Sequence, residues 1–462
     1  MVAYPKGSGG ELYGDRRAAL TSGSIRTGME EMKVLVLGAY GLIGLEVSKA
    51  LIKAGNTVVA LGRSADHGRK VLPNAHWIGT DLSQMTGTAD WLGHLEGIEA
   101  VVNASGALQD SPGQKLSDVQ SRSITTLVAA CEQTGVRKFV QISAPGAAGT
   151  ASLAFLSTKG EADDTLKRSG LDWTVLKPGL VIAPTAYGGT SLVRSIAAFP
   201  FVQPVVFANS PVQTVSIADV TGAVVRSLTD PALSRRAFDL VETESHTLAQ
   251  VILAVRQWLA FPAPLRVIDV PPAIARLLAK CADAAAWLGW RSALRTTSLQ
   301  VLAGGITADS GDWVAATGIA PRSLTETLID LPSTLQERVF ARLRLIAPLL
   351  ILVLSLFWLA SGVIGLVFEA DAVRVIEDDL PPLLAHASVI GGSCLDIAVG
   401  LALLFRKTAR TACLASVGVS LLYLGLGTVL TPELWADPLG VFVKVLPAIG
   451  LSLAAASMID ER

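Results

Sequence analysis

Three closely spaced glycines carry the clearest chemical signal in the sequence. Gly38, Gly41 and Gly44 stand in the stretch GAYGLIG, which follows the apolar run KVLVL and opens the helix-like segment LEVSKALIKAG. One glycine permits a tight turn, one lets the backbone approach a ligand, and one lets the helix pack on the strand, while the amides at the helix N-terminus attract an anion. The spacing predicts a turn that holds the pyrophosphate of a dinucleotide. The other contacts predicted here are Tyr40, Leu42 and Ile43.

The end of the next apolar run bears on which dinucleotide binds. The run TVVALG is followed by Arg63 and Ser64. At this position a site selective for NAD usually has an acid that binds the ribose hydroxyls. An arginine and a serine suit a 2′-phosphate instead. We therefore expect NADP(H), and NAD(H) is the alternative if Arg63 is only a solvated loop charge.

These motifs together resemble the short-chain dehydrogenase/reductase superfamily, in its extended or atypical branch, over roughly residues 32–330. Besides the glycines, the resemblance rests on TDLSQ, on VVNASG and on GLDWTVLKPGLVIAP. It implies that Asp81 and Leu82 meet the adenine, although Asp81 as an ordinary turn acid is the alternative. It also implies contacts to the ribose and pyrophosphate from Asn103, Ala104, Ser105 and Gly106. The loop that it implies over the nicotinamide contains Pro178, Gly179, Leu180 and Val181.

The resemblance also implies a catalytic group, of which one member is missing. In this superfamily a serine orients the carbonyl, a tyrosine four residues before a lysine transfers the proton, and the lysine lowers the pKa of the tyrosine and holds the nicotinamide ribose. Ser143 and Lys159 match the serine and the lysine, but Phe155 takes the place of the tyrosine. A benzene ring has no proton to move, so a general acid worth about 10²- to 10⁴-fold in rate is absent from its usual position.

Several explanations of Phe155 stay open. Another group can supply the proton, and Tyr187, Ser143 itself and a bound water are the candidates. The substrate can be a quinone-like or flavin-like acceptor that takes protons from solvent. The nucleotide can also be held for structure or sensing, as in relatives of the nucleotide-binding accessory subunit of respiratory complex I, which this region resembles in overall pattern. Finally, Phe155 can be a core residue outside the motif.

The elements that must position these residues alternate along the first 340 or so residues. Short β-branched runs such as KVLVLG, TVVALG, AVVNAS, KFVQIS and WTVLKP each precede a turn and a helix-like segment. The alternation predicts an α/β fold with a doubly wound parallel sheet, that is, a Rossmann domain. We expect this domain over residues 32–261, after a disordered extension at residues 1–31 and before a helical substrate region or linker at residues 262–343.

The rest of the chain has the composition of a membrane protein. The sequence is 51% hydrophobic and 17% charged, which is more apolar than is usual for a soluble protein. Four apolar stretches each approach the ~20 residues that cross a bilayer as helix. The predicted spans are residues 346–368, 385–405, 411–430 and 439–458. We expect an all-α, four-helix transmembrane domain over residues 344–462, which resembles the DoxX-like family in span count and size.

The charges between the spans predict an orientation. Three arginines precede the first span, and Arg406, Lys407 and Arg410 join the second to the third, whereas the other two loops are mainly acidic. The positive-inside rule therefore predicts that both termini and the nucleotide-binding domain are cytoplasmic. The 38 basic and 39 acidic residues give no field that attracts nucleic acid. The four cysteines are widely spaced, so no metal site is expected.

Two further segments attract interest. In PPAIARLLAKCADAAAWLGW, the residues Ile274, Leu277, Leu278 and Cys281 follow helical spacing. We expect this stripe to be core, and a helix at the bilayer interface is the alternative because Trp287 and Trp290 follow it.

Asp396 and Lys444 lie within predicted spans, where a charge costs ~3 kcal/mol. We expect them to pair or to line a polar pocket for a quinone or a lipid headgroup, unless Lys444 snorkels to the surface.

Two functions follow from the sequence. The favoured one is a membrane-tethered NADP(H)-binding oxidoreductase or isomerase that acts on a lipophilic substrate from the bilayer, with quinones as the leading candidates. The alternative is a catalytically idle scaffold, assembly factor or redox sensor that works with a membrane complex. The loss of the tyrosine favours the alternative, whereas the retained Ser143 and Lys159 favour the enzyme, because a scaffold has no chemical use for Ser143.

Overall fold

A parallel sheet of seven strands organises the first half of the chain. A computed structural model describes residues 31–108, 110, 115–290, 292–377, 380–438 and 440–459, so nearly all of the predicted N-terminal extension lies outside the described residues. The strands are β1 (Lys33–Leu37), β2 (Thr57–Gly62), β3 (His76–Gly79), β4 (Ala100–Asn103), β5 (Lys138–Ile142), β6 (Asp172–Pro178), β7 (Leu180–Ile182), β8 (Val202–Val205), β9 (Pro211–Val212), β10 (Thr214–Ser216), β11 (Arg236–Leu240), β12 (His246–Thr247) and β13 (Arg266–Asp269). Seven of these strands form the main parallel sheet, in the order β11-β6-β5-β4-β1-β2-β3. The other six form three two-stranded pairs, β10-β7, β12-β9 and β13-β8.

Helices cover both faces of this sheet. In chain order the helices of this part are α1 (Leu42–Lys53), α2 (Ala65–Val71), α3 (Ala89–Leu92), α4 (Ser123–Thr134), α5 (Ala154–Arg168), α6 (Gly189–Ala197), α7 (Ile217–Ser227) and α8 (Leu248–Trp258). Of these, α6 and α8 pack with each other in a separate cluster beside the sheet. Because side chains alternate along a strand, Val34 of β1 packs in one core with Val47 of α1, and Leu35 packs in a second core with Ile124 and Leu127 of α4. The predicted doubly wound α/β fold is confirmed.

The strand order reverses at β1, whose neighbours are β2 on one side and β4 on the other. Connections from the carboxyl ends of β1 and β4 leave toward opposite faces, so a crevice opens between them. This is where open α/β sheets bind ligands.

The segment after α8 packs against this domain and also connects it to the membrane region. Its helices are α9 (Pro272–Trp287), α10 (Thr296–Gly304), α11 (Gly311–Thr317) and α12 (Leu324–Asp330). Trp313 of α11 lies edge-on to Phe238 of β11, with ring centroids 5.5 Å apart. Leu324 and Leu328 of α12 pack with Val255 of α8. These contacts make most of the segment part of the folded domain.

The apolar stripe of α9 contradicts the expectation of a core helix. Ile274, Leu277 and Leu278 are 51%, 63% and 52% exposed, and only the small residues Ala275 and Ala279 of α9 are buried. The prediction was wrong because the spacing of apolar residues shows that they share a face and does not show what covers that face.

One continuous helix, α13 (Leu335–Val367), joins the nucleotide-binding region to the membrane region. At 1.5 Å per residue its 33 residues extend about 50 Å, and the predicted domain boundary at residue 344 falls inside it. Near its start, Ala341 is buried in a cluster with Val193 and Ala197 of α6. Arg344 Nε donates to Ser191 Oγ of α6 at 3.4 Å. The first apolar helix is therefore packed directly on the nucleotide-binding domain.

The membrane region continues with α14 (Glu369–Arg374), α15 (Pro382–Leu404), α16 (Ala409–Leu430) and α17 (Val445–Met458). Among the described residues, α13, α15 and α16 are long and apolar enough to cross a membrane. The 14 residues of α17 extend about 21 Å, short of the ~30 Å hydrocarbon core. However, Ser416 Oγ donates to Ser452 Oγ at 2.8 Å, so α17 packs along α16. The fourth span stays a prediction.

Candidate nucleotide-binding and active site

The three glycines form a close-packed turn at the carboxyl end of β1. Gly38 has a φ of +69°, and a Cβ atom there would lie 2.9 Å from Ser105 Cα. A Cβ atom at Gly44 would lie 2.2 Å from the carbonyl oxygen of Gly38. Gly41 is the N-cap of α1 and provides no side-chain cap, so the first amides of α1 are left for a ligand. The turn fits the pyrophosphate of a dinucleotide, because side chains are excluded from it and backbone donors converge on it.

An aromatic cluster that the sequence reasoning missed lies beside Arg63. The Tyr40 ring stacks on Trp77 at 5.7 Å and meets His67 edge-on at 5.3 Å. The Tyr40 hydroxyl accepts a hydrogen bond from the backbone N–H of Arg63 at 2.9 Å. Tyr40 was predicted as a contact to the cofactor, and its side chain also fixes the backbone that carries Arg63. The possible signal was an aromatic residue between the glycines.

Ser64 and Asp81 both cap short helices. The Ser64 hydroxyl accepts from the backbone N–H of His67 at 3.2 Å, at the start of α2. The Asp81 carboxylate accepts from the backbone N–H and the hydroxyl of Ser83, at 3.0 and 2.9 Å, while Leu82 is buried in the second core. These bonds shape the loops after β2 and β3, so they fit the turn interpretation of Asp81 and leave its contact to adenine a prediction.

The loop after β4 forms the wall opposite the glycine turn. Asn103 is buried, and its side-chain oxygen accepts from the backbone N–H and hydroxyl of Ser105 at 3.0 and 2.5 Å. Its amide nitrogen donates to Gln141 at 2.9 Å, and Ala104 bonds back to Leu37 at 3.1 Å. Asn103 therefore folds residues 103–105 against Gly38, which places the predicted contacts on the two sides of one crevice.

Phe155 and Lys159 lie one helical turn apart on α5. Lys159 Nζ is 5.9 Å from the centre of the Phe155 ring and donates to the carbonyl oxygen of Ile142 at 2.9 Å. A Cβ atom at Gly106 would lie 3.6 Å from the same nitrogen, so Lys159 faces the nucleotide crevice. Burial lowers the pKa of Lys159 to about 8, although nearby Asp163 opposes this shift. Phe155 thus has the position relative to Lys159 that the missing tyrosine would have.

A buried carboxyl group, Asp163, is the principal residue that the sequence reasoning missed. It follows Lys159 by one turn, and its Oδ2 accepts from the Ser143 hydroxyl at 2.5 Å. Its Oδ1 is buried without a hydrogen-bond partner among the described residues. Burial raises the pKa of Asp163, and the bond from Ser143 and the charge of Lys159 partly offset this rise. The signal available in the sequence was an acid four residues after the lysine.

The nicotinamide-side loop and Tyr187 are placed differently. The backbone N–H of Gly179 donates to Leu240 at 3.0 Å and that of Leu180 donates to Gln213 at 3.1 Å, which pins the loop Pro178–Val181 across the sheet edge. Tyr187 is 53% exposed on the next loop. Within the described part of the chain, no hydrogen bond joins its hydroxyl to Ser143, Lys159 or Asp163. The group that accompanies Ser143 is therefore Asp163.

The predicted pair in the membrane region is wrong. Asp396 Oδ2 accepts from the Ser361 hydroxyl at 2.6 Å and Oδ1 accepts from the Tyr423 hydroxyl at 2.8 Å, so α13, α15 and α16 meet at this carboxyl group. Lys444 is exposed just before α17, and none of the ion pairs between described residues joins it to Asp396. Hydroxyl groups on the two neighbouring helices satisfy Asp396, and the sequence does not reveal which helix faces meet.

Comparison with known proteins identifies the two parts of the chain. Residues 38–231 match the NAD(P)H-binding family model, and residues 355–453 match the DoxX-like family. The chain is 25% identical over 310 residues to the photosystem II assembly factor Ycf39 of Synechocystis sp., covering 66% of this chain and 90% of that protein. It is 24% identical over 222 residues to an NAD(P)H azoreductase of Xenophilus azovorans, covering 48% of this chain and 72% of that protein.

Solved structures show the same fold. WbmH of Bordetella bronchiseptica, solved with NAD+, has a TM-score of 0.51 and 18% identity, over 65% of this chain and 97% of that chain. WbmG of the same organism, solved with NAD, has a TM-score of 0.50 and 14% identity, over 66% and 95%. The predicted combination is confirmed: an NAD(P)H-binding, oxidoreductase-like Rossmann domain is followed by a DoxX-like membrane domain. The preference for NADP(H), the cytoplasmic orientation and the site residues stay predictions.

Proposed function

We propose that the protein is a membrane-anchored NAD(P)H-dependent oxidoreductase that reduces a lipophilic substrate, with quinones as the leading class. The observation that carries the proposal is the hydrogen bond between Ser143 and the buried carboxyl group of Asp163. A buried carboxyl with one oxygen unbonded among the described residues is costly. Such a cost is typical of sites that do chemistry and has no purpose in a passive nucleotide holder.

The residues present fit the nucleotide. The glycine turn admits a pyrophosphate, Lys159 faces the crevice where the ribose would lie, and Arg63 is exposed at the end of β2, where a 2′-phosphate would lie. Bound NAD(P)H supplies a hydride. We assign the preference for NADP(H) to Arg63, whose backbone Tyr40 fixes.

Ser143 and Asp163 supply the proton that the missing tyrosine would have supplied. Reduction of a quinone to a hydroquinone takes one hydride and one proton. The reaction starts from the acid form of Asp163, whose pKa is raised by burial. The Ser143 O–H bond breaks as its proton passes to the substrate oxygen, and the carboxylic proton of Asp163 passes to Ser143 Oγ. The carboxylate that is left accepts from the Ser143 hydroxyl and takes up a proton from solvent before the next turnover. Phe155 then presents an apolar ring to the substrate, which suits a lipophilic molecule.

The anchoring by α13 supports a substrate that is drawn from the bilayer. Arg344 of α13 bonds Ser191 of α6, and Ala341 is buried against the same helix. The folded domain is therefore held near the N-terminal end of α13, next to the part of this helix that enters the bilayer. Lipid-soluble molecules are concentrated in the bilayer.

The test is NADPH and NADH oxidation by the full-length protein in lipid nanodiscs, with a short-chain quinone as acceptor. We expect quinone-dependent oxidation that Ser143→Ala lowers about 100-fold with little change in nucleotide affinity. Ser157→Ala, on the solvent side of α5, is the matched control and should keep full activity. Arg63→Ala should weaken binding of NADPH and leave binding of NADH unchanged.

The second candidate is a nucleotide-binding assembly factor or sensor of a membrane complex. It is favoured by Phe155 in place of the tyrosine, and by the similarity to Ycf39, a protein that is named as a photosystem II assembly factor. Tight NADPH binding without oxidation by quinones would contradict the enzyme proposal and support this candidate.

A further inference from the structure

An exposed apolar surface lies outside the nucleotide crevice and has no role in it. We call it the α9 surface. On one face of α9, Ile274, Leu277 and Leu278 are 51%, 63% and 52% exposed, and just ahead of β8 and β13, Phe201 and Leu265 are 73% and 83% exposed. Isolated exposed apolar residues are common, but several large apolar side chains exposed on one helix face indicate an interaction site.

The local structure forces these side chains outward. Leu265 bonds to Phe201 at 2.7 Å just ahead of the ribbon formed by β8 and β13, and Phe201 has a φ of +64°, a strained conformation for a residue with a side chain. On α9, Ala275 and Ala279 pack against Phe207. At 100° per residue, Leu277 lies on the side of the helix opposite these alanines, whereas Leu278 lies about 60° from Ala275 and is exposed at the edge of the apolar stripe. The large apolar residues are therefore left without cover from the described part of the chain.

The end of α9 is fixed to the membrane domain. The carbonyl oxygen of Leu288 accepts from the backbone N–H of Arg406 at 2.9 Å, and Trp290 Nε1 donates to the carbonyl oxygen of Leu404 at 2.6 Å. Leu404 and Arg406 bound the turn between the two apolar helices α15 and α16. Because α15 and α16 are long and apolar enough to cross a membrane, we place this turn at the bilayer surface, together with the C-terminal end of α9.

The charges around α9 suit a lipid headgroup region. Arg276 and Lys280 are exposed on α9, to one side of the apolar stripe, and Arg406 and Lys407 lie in the adjoining turn. The acid within α9, Asp283, is paired with Arg295. An amphipathic helix with cationic flanks and an apolar stripe is the form that lies in the plane of a bilayer surface, where cations are attracted to anionic lipid.

We propose that the α9 surface is embedded in the headgroup region of the membrane leaflet at which α13 enters. Its occupant is lipid, because the residues that follow α9 are hydrogen-bonded to the turn that we place at that surface, and because α9 carries cations that complement anionic headgroups. The nucleotide-binding domain then contacts the bilayer surface through α9, at a fixed distance from the bilayer, and is also attached to the membrane region through α13. The proposal does not depend on catalysis, since an idle nucleotide-binding protein would lie on the membrane in the same way.

The test is the depth of nitroxide labels in the full-length protein, reconstituted in nanodiscs of phosphatidylcholine and phosphatidylglycerol. Cys281 and Cys394, the exposed cysteines, are changed to Ser, and labels are placed by Leu277→Cys or, as the matched control on the polar side of the same helix, Lys280→Cys. Both positions are exposed, so folding should be kept, and NADPH binding checks that it is.

We expect the label at position 277 to be more accessible to oxygen than to a water-soluble nickel chelate, at a depth of about 5–10 Å, and the label at position 280 to be accessible to the chelate. Equal access of the chelate to both positions would overturn the proposal. Shielding of position 277 from both oxygen and the chelate would overturn it too, and would show that protein covers the α9 surface.

Discussion

Two buried aspartates, one in each half of the chain, receive hydroxyl hydrogen bonds in different ways. Asp396 joins three membrane helices, and each of its oxygens accepts from a hydroxyl, of Ser361 or of Tyr423. Asp163 accepts from Ser143 through one oxygen, and its other oxygen has no partner among the described residues. A fully satisfied buried carboxyl holds structure together, whereas a partly satisfied one retains capacity to exchange a proton. The difference separates an architectural acid from a chemical one.

The largest expected difference between the two acids is in turnover. Asp163→Asn removes the proton store behind Ser143 and should lower quinone-dependent NADPH oxidation about 100-fold. Asp396→Asn keeps a hydrogen-bonding group among the membrane helices and should leave turnover within about two-fold, since it touches no group of the nucleotide crevice. Steady-state assays in nanodiscs measure both. The control is Asp164→Asn, which changes the neighbouring, half-buried acid of α5. A similar loss of turnover in this variant would show that any change of charge on α5 suffices.

The next largest expected effect is on the free energy of unfolding of the membrane region when Asp396 or its partner Tyr423 is changed. Asp396→Ala leaves the hydroxyl of Ser361 without its acceptor and the hydroxyl of Tyr423 with only the carbonyl oxygen of Gly392, at 3.0 Å, and should cost about 1–3 kcal/mol in the free energy of unfolding. Tyr423→Phe removes a hydroxyl that contacts both Asp396 and the carbonyl oxygen of Gly392 but leaves the bond from Ser361 to Asp396 in place, and should cost less, about 0.6 kcal/mol. Unfolding in mixed detergent micelles, followed by the helical circular dichroism signal, measures both. Equal stability of Asp396→Ala and the unchanged protein would mean that the three-helix junction contributes nothing.

A smaller effect concerns Lys159, the cation beside Asp163. Because burial lowers its pKa to about 8, the ammonium is charged below pH 8 and favours an anionic nucleotide, and it loses its proton above. Nucleotide affinity should therefore be highest below pH 8 and fall as the pH rises through 8. Titration calorimetry on both sides of that pH should show weaker and pH-independent binding for Lys159→Met. Lys167→Met, farther along α5 and partly exposed, should keep the dependence seen in the unchanged protein.

The features that could be predicted from the sequence are those formed by residues close together in the chain. The glycine turn follows from residues 38 to 44 alone, and the parallel sheet follows from the alternation of strand and helix patterns. Asp163 could not be paired with Ser143, because their contact depends on α5 packing across the end of β5, twenty residues away. The wrong pairing of Asp396 with Lys444 and the wrong core assignment of α9 share a cause. Spacing shows which residues share a face, and only packing shows what that face meets.

The most direct test of proton supply by Asp163 is the pH dependence of quinone reduction, measured for the unchanged protein and for Asp163→Asn. Burial raises the pKa of Asp163, so the acid form that feeds Ser143 is lost as the pH rises through that raised value, and the rate should fall with it. Asp163→Asn has no such proton to lose, so its low rate should be independent of pH over the same range. The same falling profile in both proteins would show that another group delivers the proton.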